Sequence, residues 1–255
     1  MLKKRIITTM LWNGTTLVKG TKFDNSRRAG SAIATIKIYN SRDVDEIIFF
    51  EINKNKDYSN FDLDFIKQLT DECNVPITIG GGIKKISDIS GLLSVGADKI
   101  AINSELYYNN CLLYEAANKF GSQTIVAGID YRLVDGKYYC FSNSGKNLEK
   151  IDPISWAIEC FKNGAGEIIL TSIDRDGLME GYDYNLLSEI SSKVNIPIVA
   201  SGGAGSYYHM LEAFNKGASA VSAASIYHFT EQTPSEAKKF LFKKGIPIRK
   251  NYNFF

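Results

Sequence analysis

The sequence predicts an α/β protein with a (β/α)₈ barrel. Three observations support this fold class: eight short apolar segments, helical segments between most of them, and an internal repeat. Continuous apolar strands that alternate with amphipathic helices indicate a parallel sheet covered on its outer face. Eight such units in 255 residues fit a closed barrel better than an open, doubly wound sheet.

The predicted elements follow from the periodicity of apolar residues along the chain. Segments rich in β-branched residues predict strands at 5–11, 46–52, 76–80, 99–103, 124–130, 167–173, 197–201 and 220–225. Helical periodicity is clear at 60–73, 152–164 and 184–194. Asp135-Gly136 is a hairpin-turn signal, and it predicts a small β-ribbon after the fifth strand.

The chain repeats itself at a fixed offset. Segment 75–104 resembles segment 196–225, and Gly81 and Gly202 are 121 residues apart. The same offset relates Glu46 to Glu167. The repeat predicts one barrel domain over 1–255, built from two homologous half-barrels at about 1–122 and 123–255. A site in one half should therefore have a twin in the other.

The composition excludes several function classes. The net charge is +2 and the basic residues are scattered, which argues against nucleic-acid binding. No stretch approaches the ~18 apolar residues of a membrane span. The two histidines and the widely spaced cysteines give no metal-binding pattern. We expect a cytoplasmic protein without a metal or other cofactor; its cysteines are Cys73, Cys111, Cys140 and Cys160.

Two glycine-rich turns are candidate phosphate sites. They occupy 80–82, after the third strand, and 201–205, after the seventh. Glycine at a strand end lets backbone N–H groups approach an anion, although a single such turn is often only a tight turn. Because the two turns are related by the repeat, we expect an elongated ligand with a phosphate at each end. The candidate residues are Gly81, Gly82, Asn103, Ser104, Gly202, Gly203, Ala224 and Ser225.

The segment TSIDRDGLMEGYD at 171–183 places more polar residues at the same rim. It follows the sixth strand and contains Asp174, Asp176 and Gly177. A polar loop that caps the next helix is the simpler interpretation, especially for Asp174. We include Asp176 and Gly177 in the candidate substrate site.

Several motifs together resemble one known family, the cyclase subunit of imidazole glycerol phosphate synthase. The resemblance spans essentially the whole chain, and TSIDRDG with SGGAG is highly specific. The matching motifs are VKGTKF (18–23), GGGI (80–83), GADKIAIN (96–103), FGSQ (120–123), AGID (127–130), SGK (144–146), GAGEIILTSIDRDG (164–177), SGGAG (201–205) and ASIYHF (224–229).

This resemblance implies a barrel that receives ammonia at its lower face from a docked glutaminase, a class I glutamine amidotransferase. The ammonia would cross the barrel core to a phosphorylated, nucleotide-like substrate at the upper face, where a lyase and cyclisation reaction follows. Lys19 would bind substrate charge, with a catalytic role as the alternative, and Asp98 would contact the glutaminase. Four charged residues would close the ammonia entrance, with a mere barrel plug as the alternative: Arg5, Glu46, Lys99 and Glu167.

The sequence departs from the family at the catalytic acids. The resemblance implies two catalytic aspartates, at the ends of the first and fifth strands. The fifth-strand acid is present as Asp130, but the first-strand position is Leu11. A general acid or base contributes roughly 10²–10⁴ in rate, and leucine can be neither. The family's aspartate at the end of the second strand is also changed, to Glu51.

Three functions remain open. In the first, the chain makes imidazole glycerol phosphate in histidine biosynthesis, with Asp130 alone and impaired cyclisation. In the second, which we favour from the sequence, it resembles cyclase-like paralogues encoded with surface-polysaccharide genes. Such a barrel would pass ammonia to an ATP-dependent sugar amidotransferase that converts an acetamido group into an acetamidino group. In the third, it is a non-catalytic scaffold that binds a phosphorylated effector and regulates the glutaminase.

Overall fold

The computed structural model describes residues 3–52, 61–109 and 111–249. Its strands are β1 (Arg5–Trp12), β2 (Leu17–Thr21), β3 (Asp24–Gly30), β4 (Glu46–Glu51), β5 (Ile77–Gly80), β6 (Lys99–Ile102), β7 (Ile125–Val134), β8 (Lys137–Ser142), β9 (Asn147–Leu148), β10 (Glu167–Ser172), β11 (Ile198–Ser201) and β12 (Ala220–Ala223). Its α-helices are α1 (Ala32–Ser41), α2 (Leu63–Asp71), α3 (Ile86–Ser94), α4 (Cys111–Phe120), α5 (Pro153–Lys162), α6 (Tyr184–Ser191), α7 (Tyr207–Asn215), α8 (Ser225–Phe229) and α9 (Pro234–Lys243).

Eight parallel strands close into a barrel, which confirms the predicted fold class. Their order is β1-β4-β5-β6-β7-β10-β11-β12, and β12 pairs with β1. Within the ring, the two halves of the chain meet where β6 pairs with β7 and where β12 pairs with β1. The carboxyl ends of all eight strands therefore meet at one rim, where a barrel of this type carries its site.

Two antiparallel additions modify the barrel. The predicted ribbon is present: β7 turns at Asp135-Gly136 into β8. The β2–β3 hairpin was not predicted, because its turn contains no glycine or asparagine signal. Lys22 and Phe23 instead adopt positive φ angles of 52° and 65°. The first strand also extends one residue beyond Leu11, to Trp12.

Alternation along the strands divides the apolar core into two layers. On β1, Ile6 and Met10 face the helices, whereas Ile7 faces the barrel interior. Thr78 of β5 is buried between Ile77 and Ile79 of the helix-facing layer, so it also faces the interior. The apolar part of the interior layer is small. It consists of Ile7, Ile48, Ala101, Val126, Ile169, Val199 and Ala220.

Side-chain caps fix several helix starts. Asp183 accepts a hydrogen bond from the Leu186 N–H at the start of α6, so the end of the 171–183 segment does cap a helix. Thr233 and Glu236 form a capping box at the start of α9. Within the described ranges, no helix has the length and apolar character needed to cross a bilayer.

Candidate active site

A cavity of about 560 Å³ opens at the carboxyl ends of the barrel strands, and we call it the mouth cavity. Every predicted substrate residue lines it, although their role in binding stays a prediction. The lining includes Lys19, Gly81, Gly82, Asn103, Ser104, Asp130, Asp176, Gly177, Gly202, Gly203, Ala224 and Ser225. Leu11 and Glu51 line it as well.

The two glycine-rich turns have the same local geometry. Gly81 has a φ of +107°, and a Cβ atom there would lie 2.1 Å from the carbonyl oxygen of Glu51. Gly202 has a φ of +84°, and its Cβ would lie 2.5 Å from the carbonyl oxygen of Ser172. Both turns thus require glycine, because each passes close to the end of the neighbouring strand in the ring. That strand is β4 for the turn after β5 and β10 for the turn after β11. They present main chain, without a side chain, to the mouth cavity.

Asp130 is held by two polar neighbours at the centre of the site. The Asn103 Nδ2 donates a hydrogen bond to Asp130 Oδ2 over 2.8 Å. Burial raises the pKa of Asp130 to about 7, and the negative charge of Asp176 acts in the same direction. Hydrogen bonds from Thr171 and Asn103 oppose this rise. A carboxyl group that titrates near neutral pH can both give and take a proton in one catalytic cycle.

Asn103 and Ser104 make internal contacts that the sequence did not predict. The amide nitrogen of Asn103 is bonded to Asp130, so this side chain positions the acid. The Ser104 Oγ accepts a hydrogen bond from the Asn143 N–H over 2.9 Å. This bond ties the predicted phosphate site to the turn that follows β8. The SGK motif at 144–146, adjacent to Asn143, was the available signal for this contact.

Lys19 is buried and paired with Asp176. The side chain of Lys19 is 4% exposed, and its Nζ lies 2.5 Å from Asp176 Oδ2. Burial raises the pKa of Asp176, and Lys19 opposes that rise. The Lys22 N–H also donates to the Asp176 carbonyl over 2.8 Å. Together these contacts fasten the β2–β3 hairpin across one side of the mouth cavity.

The register of the strands relates Leu11 in the first half of the barrel to Asp130 in the second. Leu11 pairs with Phe50 across β1 and β4, and Asp130 pairs with Thr171 across β7 and β10. Phe50 and Thr171 are related by the repeat offset of 121 residues. The apolar pair in the first half therefore stands where the second half has an acid and a hydroxyl group.

No carboxylate among the described residues takes over the position of Leu11. Glu51 lines the cavity, but it pairs with Trp12, one residue beyond the Leu11–Phe50 rung. Asp176 lies on the loop after β10 and is bonded to Lys19. The remaining acids of the lining, Asp24 and Glu105, lie on β3 and after β6. Asp130 and Glu51 are thus the acids of the lining that lie on barrel strands, and Asp130 is the one on the rung that corresponds to Leu11–Phe50.

At the opposite end of the barrel, four charged side chains form a closed ring that we call the gate. Each base contacts both acids. Arg5 Nη1 lies 2.8 Å from Glu46 Oε1, and Arg5 Nη2 contacts Glu167 Oε1. Lys99 Nζ lies 3.0 Å from Glu46 Oε2 and 2.8 Å from Glu167 Oε2. Burial opposes the ionisation of Glu167, but Arg5 and Lys99 together hold its pKa below its ordinary value.

A single layer of mostly apolar side chains separates the gate from the mouth cavity. Ala101 and Ile169 belong to the interior layer, and they follow the gate residues Lys99 and Glu167 by two positions. Both also line the mouth cavity. The cavity therefore reaches down to the layer that covers the gate.

Asp98 lies at the gate end of the barrel, next to Lys99. Its side chain is exposed, and Asp98 Oδ2 accepts a hydrogen bond from the Ile77 N–H over 2.8 Å. This position suits a contact with a docked subunit, but that contact stays a prediction. Within the described residues, no group of three or more His, Cys, Asp or Glu side chains is arranged to hold a metal ion.

Comparison with known proteins places this geometry in a family. The family model described as "Histidine biosynthesis protein" matches residues 6–233. The chain belongs to the histidine biosynthesis protein family. It is 42% identical over 253 residues to imidazole glycerol phosphate synthase subunit HisF of Thermococcus onnurineus, covering 99% of this chain and 100% of that one.

Two further relatives agree. The chain is 40% identical over 250 residues to the HisF subunits of Chloroherpeton thalassium and Chlorobium phaeobacteroides, covering 98% of this chain and all of each relative. The resemblance to HisF-like barrels is therefore confirmed. The names of these relatives refer to imidazole glycerol phosphate synthase and give no support to the sugar-amidation function favoured from the sequence.

Proposed function

We propose that this chain is the synthase barrel of a glutamine amidotransferase complex. A glutaminase subunit docks at the gate end, and the ammonia it releases passes through the gate into the mouth cavity. There the ammonia meets a phosphorylated ligand held between the two glycine-rich turns. The relatives support this function because they are named as subunits of a synthase, imidazole glycerol phosphate synthase.

The gate beneath the cavity floor is the observation that carries the proposal. A ring of two acids and two bases costs desolvation energy, and an apolar plug of similar size would close the barrel as well or better. Arg5 and Lys99 keep side-chain exposures of 20% and 19%, so the ring is reachable from the lower face. A charged ring that faces solvent below and an apolar layer above is suited to admitting a small polar molecule.

The mouth cavity favours an elongated anionic ligand. The two glycine turns are separated across the barrel rim, on β5 and β11, which are not neighbours in the ring. Lys84 adds a positive charge to the lining beside the first turn. A ligand with two phosphates can use both turns only if it spans the mouth, which brings its centre close to Asp130.

Imidazole glycerol phosphate synthesis is the first candidate for the ammonia-consuming reaction, because the comparisons favour it. In this reaction Asp130 is the general acid and base, and its pKa of about 7 suits both roles near neutral pH. Without an acid at Leu11, one proton transfer has to proceed through solvent or substrate. We therefore expect a slow cyclisation.

Delivery of ammonia to an ATP-dependent sugar amidotransferase is the second candidate, and Leu11 is the observation that favours it. The Leu11–Phe50 pair removes proton-transfer capacity from the mouth but leaves the gate and the interior layer complete. Such a barrel would stimulate the glutaminase and conduct ammonia to a third protein. That protein would convert an acetamido group of a sugar into an acetamidino group.

The proposed function is tested with the barrel and the glutaminase encoded in the same genome. Glutamate release from glutamine is measured with and without the barrel. We expect the barrel to stimulate the glutaminase, and Glu167→Gln to reduce that stimulation. Glu159→Gln, an exposed change on α5, is the matched control. Absence of stimulation by the wild-type barrel would reject the proposal.

A second assay separates the two acceptors. The barrel is supplied with ammonium and the two-phosphate nucleotide of histidine biosynthesis, and imidazole glycerol phosphate is quantified. Product formation supports the first candidate. Stimulation of the glutaminase without any product supports the second. A barrel that stimulates the glutaminase but releases ammonia from its lower end into solution would fit the scaffold function.

A further inference from the structure

A fully buried lysine on the last helix contacts two carboxylates next to the gate. Lys238, on α9, has a side-chain exposure of 0%. Its Nζ lies 2.7 Å from Asp45 Oδ1 and 3.0 Å from Asp43 Oδ1. Both aspartates belong to the turn between α1 and β4. The three residues, which we call the Lys238 triad, connect α9 to the base of the barrel.

The triad is joined directly to the strands that carry two gate residues. Asp45 Oδ2 accepts a hydrogen bond from the Ile6 N–H over 2.8 Å, and the Asp45 N–H donates to the Ile6 carbonyl over 3.0 Å. Ile6 follows Arg5, and Asp45 precedes Glu46. The two hydrogen bonds between Ile6 and Asp45 therefore lie next to the Arg5–Glu46 ion pair, one residue along each chain segment.

Asp43 has left-handed backbone at a position where three comparable turns have glycine. Three other turns lead from a helix into a barrel strand with glycine at the third position before the strand. These are Gly96, Gly164 and Gly217, with φ angles of +99°, +99° and +102°. Asp43 takes this position in its own turn with a φ of +59°. Left-handed backbone disfavours residues with a Cβ, so the ordinary solution here is glycine.

The internal repeat supplies a comparison within the molecule. The position 121 residues before Lys238 is Ala117, and the position 121 residues after Asp43 is Gly164. A Cβ on Gly164 would lie 2.7 Å from the Cβ of Ala117. At one junction between the halves, alanine of the first half thus packs on glycine of the second; at the other junction, a buried lysine of the second half contacts an aspartate of the first. The charged triad occurs only on the side with Arg5 and Glu46.

Buried ion pairs usually give little net stability compared with apolar packing, but they can fix one arrangement of the chain. The Ala117–Gly164 contact shows that apolar packing is available at this place in the fold. We propose that Lys238 is a positioning residue, which, with Asp43 and Asp45, holds the Arg5–Glu46 side of the gate in place. The inference rests on the proposed function, since it assigns the triad to the passage of ammonia.

The test uses the complete barrel with its glutaminase. Asp43→Asn removes one charge, and asparagine tolerates left-handed backbone. Lys238→Met removes the buried cation at similar length, and Lys243→Met, exposed on the same helix, is the control. We expect Asp43→Asn and Lys238→Met to reduce glutaminase stimulation by about threefold to tenfold. The assay is run well below each variant's measured unfolding temperature.

The outcomes distinguish the possible failures. A purely structural role would lower the unfolding temperature and leave stimulation at the wild-type level, which would overturn the inference. If Lys238→Met does not fold, Asp43→Asn decides the question. If the wild-type barrel itself gives no stimulation, the proposed function fails and the inference fails with it. Equal losses in Lys243→Met would also overturn it, because that side chain does not reach the gate.

Discussion

Leu11 occupies in the first half of the barrel the strand position that Asp130 occupies in the second. Leu11 pairs with Phe50, and Asp130 pairs with Thr171, the repeat equivalent of Phe50. The second half thus has an acid next to a hydroxyl group on the rung where the first half has two apolar side chains. All four residues line the mouth cavity.

Restoring the acid at this position should restore part of the cyclisation. We expect Leu11→Asp to raise the rate of imidazole glycerol phosphate formation by about 10²–10⁴ over wild type. Product formation from ammonium and the histidine-pathway nucleotide is the measurement. Leu11→Asn is the control, because asparagine has nearly the same shape as aspartate but no titratable group. Equal rates in both variants would show that polarity, not proton transfer, is what the mouth lacks.

The stability of the protein should depend on pH through Asp130. Its pKa in the folded state is raised from 3.8 to about 7, so the folded protein holds a proton that the unfolded chain releases. The resulting stabilisation is complete below pH 4 and is lost as the pH rises to 7. The full pKa shift of Asp130 corresponds to roughly 4 kcal/mol in the free energy of unfolding, and water in the mouth cavity reduces this contribution.

Asp130→Asn removes this pH dependence. We expect the unfolding temperature of Asp130→Asn, relative to wild type, to increase between pH 5 and pH 8. Thermal unfolding followed by calorimetry at both pH values is the measurement. Asp135→Asn, in the exposed hairpin turn, is the control and should follow wild type. A constant difference between Asp130→Asn and wild type would contradict the raised pKa.

Glu167 should show the opposite dependence. Arg5 and Lys99 lower its pKa, so its contribution is present above the ordinary value of 4.5 and is lost as the pH falls through the lower folded value. We expect Glu167→Gln to lower the free energy of unfolding at pH 7 by about 1–3 kcal/mol. At acid pH, the free energies of unfolding of Glu167→Gln and wild type should become more similar. Urea unfolding at several pH values checks this, and a difference independent of pH would count against the ion pairs.

Gly202→Ala should impair anion binding in the mouth. The added Cβ would lie 2.5 Å from the Ser172 carbonyl oxygen, so the turn has to move. Gly136→Ala is a matched control, because its φ of +77° carries similar backbone strain and nothing lies within 4 Å of the new Cβ. Both substitutions should lower the free energy of unfolding by about 1–2 kcal/mol, because alanine is disfavoured in left-handed backbone.

Binding of inorganic phosphate, measured by calorimetry, separates the two effects. We expect Gly202→Ala alone to weaken phosphate binding, and to unfold at a lower temperature than Gly136→Ala. Equal phosphate affinity in the two variants would remove the turn at 201–205 from the ligand site.

The barrel was predictable from the sequence because each strand is a continuous apolar run and the helices between them are amphipathic. The grouping of Asp130, Asp176 and the glycine turns was also predictable, since the ends of parallel strands meet at one rim. The β2–β3 hairpin was not, because Lys22 and Phe23 make its turn without the residues that usually signal one.

Contacts between distant segments could not be read from local pattern. Asn103 looked like a phosphate contact, and only the barrel's closure shows its amide bonded to Asp130. Lys238 stands beside Lys239 on the last helix, and no local pattern distinguishes the buried lysine from its neighbour. Its burial depends on a turn almost two hundred residues earlier in the chain.

The seven-residue interior layer has a consequence for which species can cross the barrel. Two strand residues separate the gate from the cavity floor, a distance of about 7 Å. An ion entering an apolar passage of that length loses its hydration without compensation, whereas an uncharged molecule the size of water does not. In the proposed passage of ammonia, ammonium would therefore have to leave its proton at the entrance, because apolar side chains disfavour a cation far more than the uncharged base.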